Sequence, residues 1–174
     1  LYLFNMRFLI IFIFLLSNCF AEEVFDLKNI VINKELKKYD DLRFLDDKSE
    51  EIKLKDYHGN LILLNFWATW CAPCKKEMPS LDILQTHKSL DNLKIFAINV
   101  GQDDVDKASN FFKNLKIQNL ELYFDSSITL AKTFRLRGIP TSILINKEGY
   151  EFARIVGSID FEDPKFIDWL TGYN

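Results

Sequence analysis

Histidine and cysteine are scarce in this chain, two and three residues in 174. A zinc site needs around four ligands. There is no second Cys-x-x-Cys, and neither His58 nor His87 has ligand-like spacing around it. Both histidines read as surface or loop residues, and no metal is expected. Excess charge is missing too. With a formal net charge of −3, nothing points to a nucleic-acid partner. Internal repeats and low-complexity tracts are absent. No apolar run approaches the roughly 20 residues of a comfortable membrane span. What remains is ordinary globular composition, 48% apolar and 27% charged, long enough for one domain with a real core.

The first segment reads as a targeting signal. Arg7 precedes the short apolar run Phe8 to Leu16, and Ala21 followed by Glu22-Glu23 gives an exit of the signal-peptidase kind. Residues 1–21 are therefore expected to be a signal, with translation beginning at Met6. Two alternatives stay open: an uncleaved anchor, and lipidation at Cys19, where Leu16-Ser17-Asn18-Cys19 loosely resembles a lipoprotein box. All three place the domain outside the cytoplasmic membrane. Residues 22–40 read as a solvated lead-in; Lys34 to Lys38 mixes charges and carries no motif. The folded domain is expected over 41–174.

The stretch Phe66 to Cys74, FWATWCAPC, organises the domain. It follows the apolar run Leu61 to Leu64, a buried strand by pattern, and precedes a helical segment. Two cysteines separated by two residues at such a junction are placed as a redox pair. Cys71 sits where exposed N–H groups and the helix dipole favour an anion, hence the thiolate. Cys74, in the first turn, is positioned to attack a mixed disulfide formed by Cys71. A purely structural bridge would close too small a loop to constrain the unfolded chain strongly.

The remaining elements follow from periodicity. Leu42 to Leu45 and Glu51 to Leu54 alternate as a β-hairpin. Met78, Leu81 and Leu84 mark one buried helix face, with Pro79 bending the helix rather than ending it. Leu93 to Val100 is a strand. Asp103-Asp104 caps a helix whose Val105, Ala108, Phe111, Phe112 and Leu115 face inward. Leu120 to Phe124 is a short strand, and Ser126 to Phe134 a helix entered from Asp125. Ser142 to Ile145 and Tyr150 to Val156 form an antiparallel pair. Asp163-Pro164 opens the last helix. The order implies an α/β domain: a mixed central sheet flanked by helices on both faces, with an N-terminal β-hairpin.

At this point the chain resembles the thioredoxin-like thiol:disulfide oxidoreductases, specifically the TlpA/ResA group. The resemblance rests on Asn65 to Pro79, NFWATWCAPCKKEMP, and on Arg137 to Ile145, RGIPTSILI, followed by Glu148-Gly149 and Ala153 to Gly157. It covers roughly Leu42 to Leu170. It implies a thioredoxin-like fold, a cis Ile139–Pro140 bond facing the cysteines, and exposed backbone there able to pair with an extended substrate. The implied catalytic set is Cys71, Cys74, Glu77 and Pro140, with Trp70, Ala72, Pro73, Ile139 and Thr141 contacting substrate. Plain thioredoxins carry a buried Asp where Asn65 stands; here Glu77, desolvated near Cys74, is expected to accept its proton. No cofactor is required. The resemblance further implies a disulfide-bearing client, either a copper-site assembly protein or apocytochrome c, and a membrane thiol reductant of the DsbD/CcdA type. A thiol oxidase or isomerase of the same fold, and a Cu(I)-binding module using the two thiolates, remain alternatives. A peroxidase is disfavoured because its Thr-x-x-Cys motif is missing.

Overall fold

The computed structural model describes residues 29–39 and 41–174. The targeting segment expected over 1–21, with Met6, Arg7 and Cys19, lies outside the described residues. The fold is built around β4 (Leu61–Trp67), all seven residues of which are buried. A continuous apolar run suits a strand covered on both faces. β4 pairs in parallel with β5 (Leu93–Asn99) and antiparallel with β7 (Thr141–Ile145). The sheet is completed by β1 (Ile30–Lys38), β2 (Arg43–Asp46), β3 (Glu51–Lys53), β6 (Leu122–Phe124) and β8 (Tyr150–Val156), in the order β1-β8-β7-β4-β5-β6-β2-β3. The expected hairpin is β2–β3, and it joins the sheet beside β6 rather than beside β4.

Alternation along β4 divides the core into two layers. Leu61, Leu63 and Trp67 pack with Met78 and Leu81 of α1 (Ala72–Leu84), Phe112 of α2 (Val105–Leu115), and Phe166 and Leu170 of α4 (Pro164–Thr171). Ile62, Leu64 and Phe66 face Leu130 of α3 (Thr129–Thr133), Phe134 and the hairpin residue Phe44. This is the thioredoxin-like arrangement, a mixed sheet with helices on both faces. Among the described residues, no helix is long and apolar enough to cross a membrane.

Three expectations need correction. The lead-in is not a linker over its second half. Residues 30–38 form β1, antiparallel to β8, with an irregularity between Ile32 and Lys37. Nearly all of β1 is exposed, so neither face imposes the apolar alternation by which a strand is recognised. Val105, expected inward, is 39% exposed because it occupies the first helical position of α2. The helix expected from Ser126 is shorter, since Asp125 accepts from Thr129 N and Ala131 N and so delays its start.

Asp82 ties α1 to the chain after α2. Buried within α1, its carboxylate accepts from the backbone N–H groups of Asn119 (2.7 Å) and Leu120 (2.9 Å), from Gln118 N, and from Asn119 Nδ2. Asp82→Ala would leave the buried Leu120 N–H unsatisfied and release the Gln118–Asn119 turn from α1. A loss of about 3 kcal/mol is expected, read as a lower urea midpoint at constant slope; a change below about 0.5 kcal/mol would show that the loop is held by its apolar contacts instead.

Candidate active site

The end of β4 and the start of β7 lie at one edge of the sheet, because Phe66 pairs with Thr141. The two loops singled out in the sequence are therefore neighbours. Beyond β4 the chain turns at Ala68, whose carbonyl accepts from Cys71 N. Cys71 is the N-cap of α1, and its sulfur accepts from Cys74 N at 3.3 Å. Pro73 follows in the first turn, where a missing N–H costs nothing. Cys71 and Cys74 are joined as a disulfide, with 5.3 Å between Cα atoms.

Cys74 is fully buried and Cys71 is 4% exposed. Little of the pair reaches solvent, and what does belongs to Cys71. The opening is rimmed by Trp70, 67% exposed, and by exposed Ala72 and Pro73. Lys75 and Lys76 point to solvent.

On the facing loop, the Ile139–Pro140 peptide is cis. Pro140 O accepts from Gly157 N, and Thr141 Oγ1 donates to Gly138 O. The backbone N–H and C=O of Ile139 have no backbone partner among the described residues. Its half-buried side chain packs against the cluster that contains both cysteines.

Beneath Cys74, one helical turn on, lies Glu77, 2% exposed. Residues three apart on a helix share a face, so the carboxylate is on the cysteine side of α1. Asn65 Nδ2 donates to Glu77 Oε1 at 2.9 Å and to Ser142 Oγ at 3.0 Å. Burial pushes the Glu77 carboxyl up to about 7, while donors from Asn65, the Ile159 backbone and Ser158 oppose that rise. A carboxyl poised there exchanges protons near neutrality. Asn65 Oδ1 is buried without a partner.

Of the expected capping pair, Asp104 is the N-cap of α2, accepting from Lys107 N at 2.7 Å. Asp103 instead turns back to the cysteine loop. It accepts from Thr69 N (3.0 Å), Thr69 Oγ1 (2.8 Å), Asn99 Nδ2 (2.9 Å) and Lys107 Nζ (2.6 Å). Burial works against its ionisation, yet these donors hold its carboxyl down at about 2. Gly101 belongs to the same clamp: a Cβ there would lie 2.5 Å from Ala68 Cβ and 3.1 Å from Trp70 Nε1. The available sequence signal was the doubled aspartate at a strand–helix junction, where one residue suffices as cap. Among the described residues, no group of three or more His, Cys, Asp or Glu is arranged to hold a metal ion.

The model of the AhpC/TSA family matches residues 30–150. The chain belongs to the AhpC/TSA family. It is 34% identical over 112 residues to the thiol-disulfide oxidoreductase ResA of Bacillus thuringiensis subsp. konkukian, a match spanning 64% of each chain. It is 31% identical over 123 residues to ResA of Geobacillus kaustophilus, covering 71% of this chain and 70% of that one. Among solved structures, it is similar to a putative thiol:disulfide interchange protein DsbE from Chlorobium tepidum, with TM-score 0.65, 25% identity, and coverage of 79% of this chain and 99% of that one.

Two predictions follow from the buried carboxylates. A raised native pKa means that the folded state holds the Glu77 proton after the unfolded chain has released it. The protonated form's contribution is complete below about 4.5 and is lost as pH rises through about 7. The loss amounts to about 3 kcal/mol. Glu77→Gln should remove that decline, so urea unfolding of the oxidised protein at pH 5 and pH 8 should show a smaller difference than in the parent; an identical decline in both would place the titration elsewhere. Asp103→Ala should destabilise by about 3 kcal/mol and speed amide exchange at Thr69 selectively, which NMR would resolve.

Proposed function

We propose that this AhpC/TSA-family protein is an extracytoplasmic thiol:disulfide reductase that reduces a disulfide in a partner protein. The reading is carried by one observation: a Cys71–Cys74 disulfide at a helix N-terminus with a buried, near-neutral carboxyl one turn below it. The names of the related proteins support the same chemistry, and the charged, apolar and small-residue order of the first segment supports export.

In the reduced protein, the Cys71 thiolate attacks one sulfur of the client disulfide. That S–S bond breaks, a Cys71–client bond forms, and the client's other sulfur leaves as a thiolate that takes a proton from water. Cys74 then passes its proton to Glu77 and attacks the Cys71 sulfur of the mixed disulfide. The second client thiolate leaves, and the Cys71–Cys74 disulfide remains. Two electrons have moved to the client. A membrane thiol reductant of the DsbD/CcdA type returns the pair to the dithiol. Trp70, Ala72 and Pro73 meet the client beside Cys71, while Ile139 offers its free backbone groups to an extended client segment, held by Pro140 and Thr141. The client is a copper-site assembly protein of cytochrome oxidase or apocytochrome c.

The experiment is reduction of insulin disulfides by the protein with dithiothreitol as electron source. Cys71→Ser should abolish turnover, and Cys74→Ser should accumulate a mixed disulfide that mass spectrometry identifies. Turnover surviving in Cys71→Ser defeats the mechanism, and a reduction potential near that of a strong oxidant reverses the direction.

A further inference from the structure

One cleft takes no part in the chemistry above. It has a volume of about 540 Å³ and lies between the β1 end of the sheet and the turn that follows α3. Its described lining includes Lys37, Arg135, Arg137 and Arg154, and no acidic side chain. Arg154 is already committed, donating to the buried Glu151 and, at 2.6 Å, to Phe134 O. The other three cations are exposed. In a chain of net charge −3, this is a local reversal of sign.

Arg135 stands at the end of α3. The last turn of α3 closes in a Schellman-type arrangement, with Leu136 N donating to Ala131 O and Arg135 N to Lys132 O. Arg135 then takes the left-handed position, φ 51°. Glycine is the usual residue there, and a non-glycine side chain is disfavoured. Lys116 takes the same position at the end of α2, φ 58°; at Arg135 the side chain lines the cleft. Arg137, two residues further, precedes Pro140 by three residues, a span of at most about 11 Å. Arg135 and Arg137 thus lie on the segment that continues into the loop facing Cys71, while Lys37 is brought in by β1, where it pairs with Glu151 of β8.

We propose that this cleft is the docking site for an acidic segment of the disulfide-bearing client, read by Lys37, Arg135 and Arg137 while the client's disulfide meets Cys71. The inference rests on the reductase reading and adds the client's charge. Opposite charge at the rim acts chiefly on encounter and is screened by salt.

The test uses the reduced full chain and two peptides, each with one intramolecular disulfide, flanked either by Asp and Glu or by Asn and Gln. Oxidation of the protein is followed by tryptophan fluorescence under single-turnover conditions. At low ionic strength the acidic peptide should react about tenfold faster, and in 0.5 M salt the ratio should fall towards one. In the double variant R135E/R137E the ratio should drop below one. K37E, which leaves the α3 turn untouched, should lower it by a smaller factor. Using the ratio cancels any loss of reactivity common to both peptides. A ratio near one for the parent at low salt overturns the proposal, as does a ratio unchanged in both variants. If the variants lose retention on phosphatidylglycerol vesicles while their peptide ratios stay at the parent value, the cleft serves a membrane surface and the proposal fails. Failure of the reduced parent to react with either peptide would sink the reductase reading instead, which keeps the two failures apart.

Discussion

The pairing of β4 on both sides, with both its faces covered, is the constraint from which the rest of the site descends. A strand so enclosed has one tolerable register. A slip of one residue would carry Asn65 to the opposite face and bring Phe66 to Glu77. In the observed register, Asn65 faces Ser142 across β7 and Glu77 across the helix layer. The same pairing sets Phe66 beside Thr141, so the cysteine turn and the cis-proline loop leave the sheet together. Neither loop has to be steered to the other by its own sequence. The apolar core, rather than any contact between the loops, decides their proximity.

Within that frame, Glu77 is a buried carboxyl whose state is balanced near neutrality. Taking a carboxylate out of water costs several kcal/mol, whereas a hydrogen bond to a charged acceptor returns about 1.5–3 kcal/mol. Desolvation wins by about 3 kcal/mol, and the result is a carboxyl at about 7 rather than in the ordinary carboxylate range. Asn65 suits this better than a carboxylic acid would. It donates to Glu77 and does not titrate, so it adds no second carboxyl proton to the pocket. An Asp at the same place would couple to Glu77 and split the titration into two steps belonging to the pair. The orphaned Asn65 Oδ1 is the cost of that choice, about 1–3 kcal/mol for an unsatisfied buried acceptor.

How much of this could be read beforehand depended on whether one residue's pattern carried the information. The central strands, the cysteine turn, the Asp163-Pro164 helix opening and the hairpin were legible, because burial forces periodicity and caps have fixed chemistry. β1 was not, since an exposed edge strand such as Lys34-Glu35-Leu36-Lys37-Lys38 has no face to pattern. The reach of Asp103 to the cysteine loop was hidden for another reason. Its partner Thr69 is 34 residues away, and no local rule distinguishes an aspartate that caps from one that reaches across. Val105 illustrates the boundary case: the helical spacing was right, but a first-turn residue projects beyond the layer it would have joined. The basic cleft draws on β1, β8 and the α3 turn, so nothing in a single stretch of sequence announces it.

Under the proposed function, the small exposure of Cys71 has a consequence for the order of events. In the oxidised protein, an incoming thiolate can reach Cys71 and cannot reach Cys74, which has no exposed surface. Exchange with other molecules is therefore confined to Cys71, and Cys74 acts only from within. Geometry thus separates the two roles, in addition to the thiolate preference that the helix N-terminus gives Cys71. It also raises the demand on positioning, because an opening of this size admits a disulfide from few directions. The clamp of Asp103 on Thr69 and the absence of a side chain at Gly101 keep Trp70 and the turn close against the β5–α2 connection. A rigid rim and a narrow opening favour clients that are held elsewhere while the sulfurs meet. The free backbone of Ile139 beside the opening, and a charged cleft further along the same segment, are two such holds.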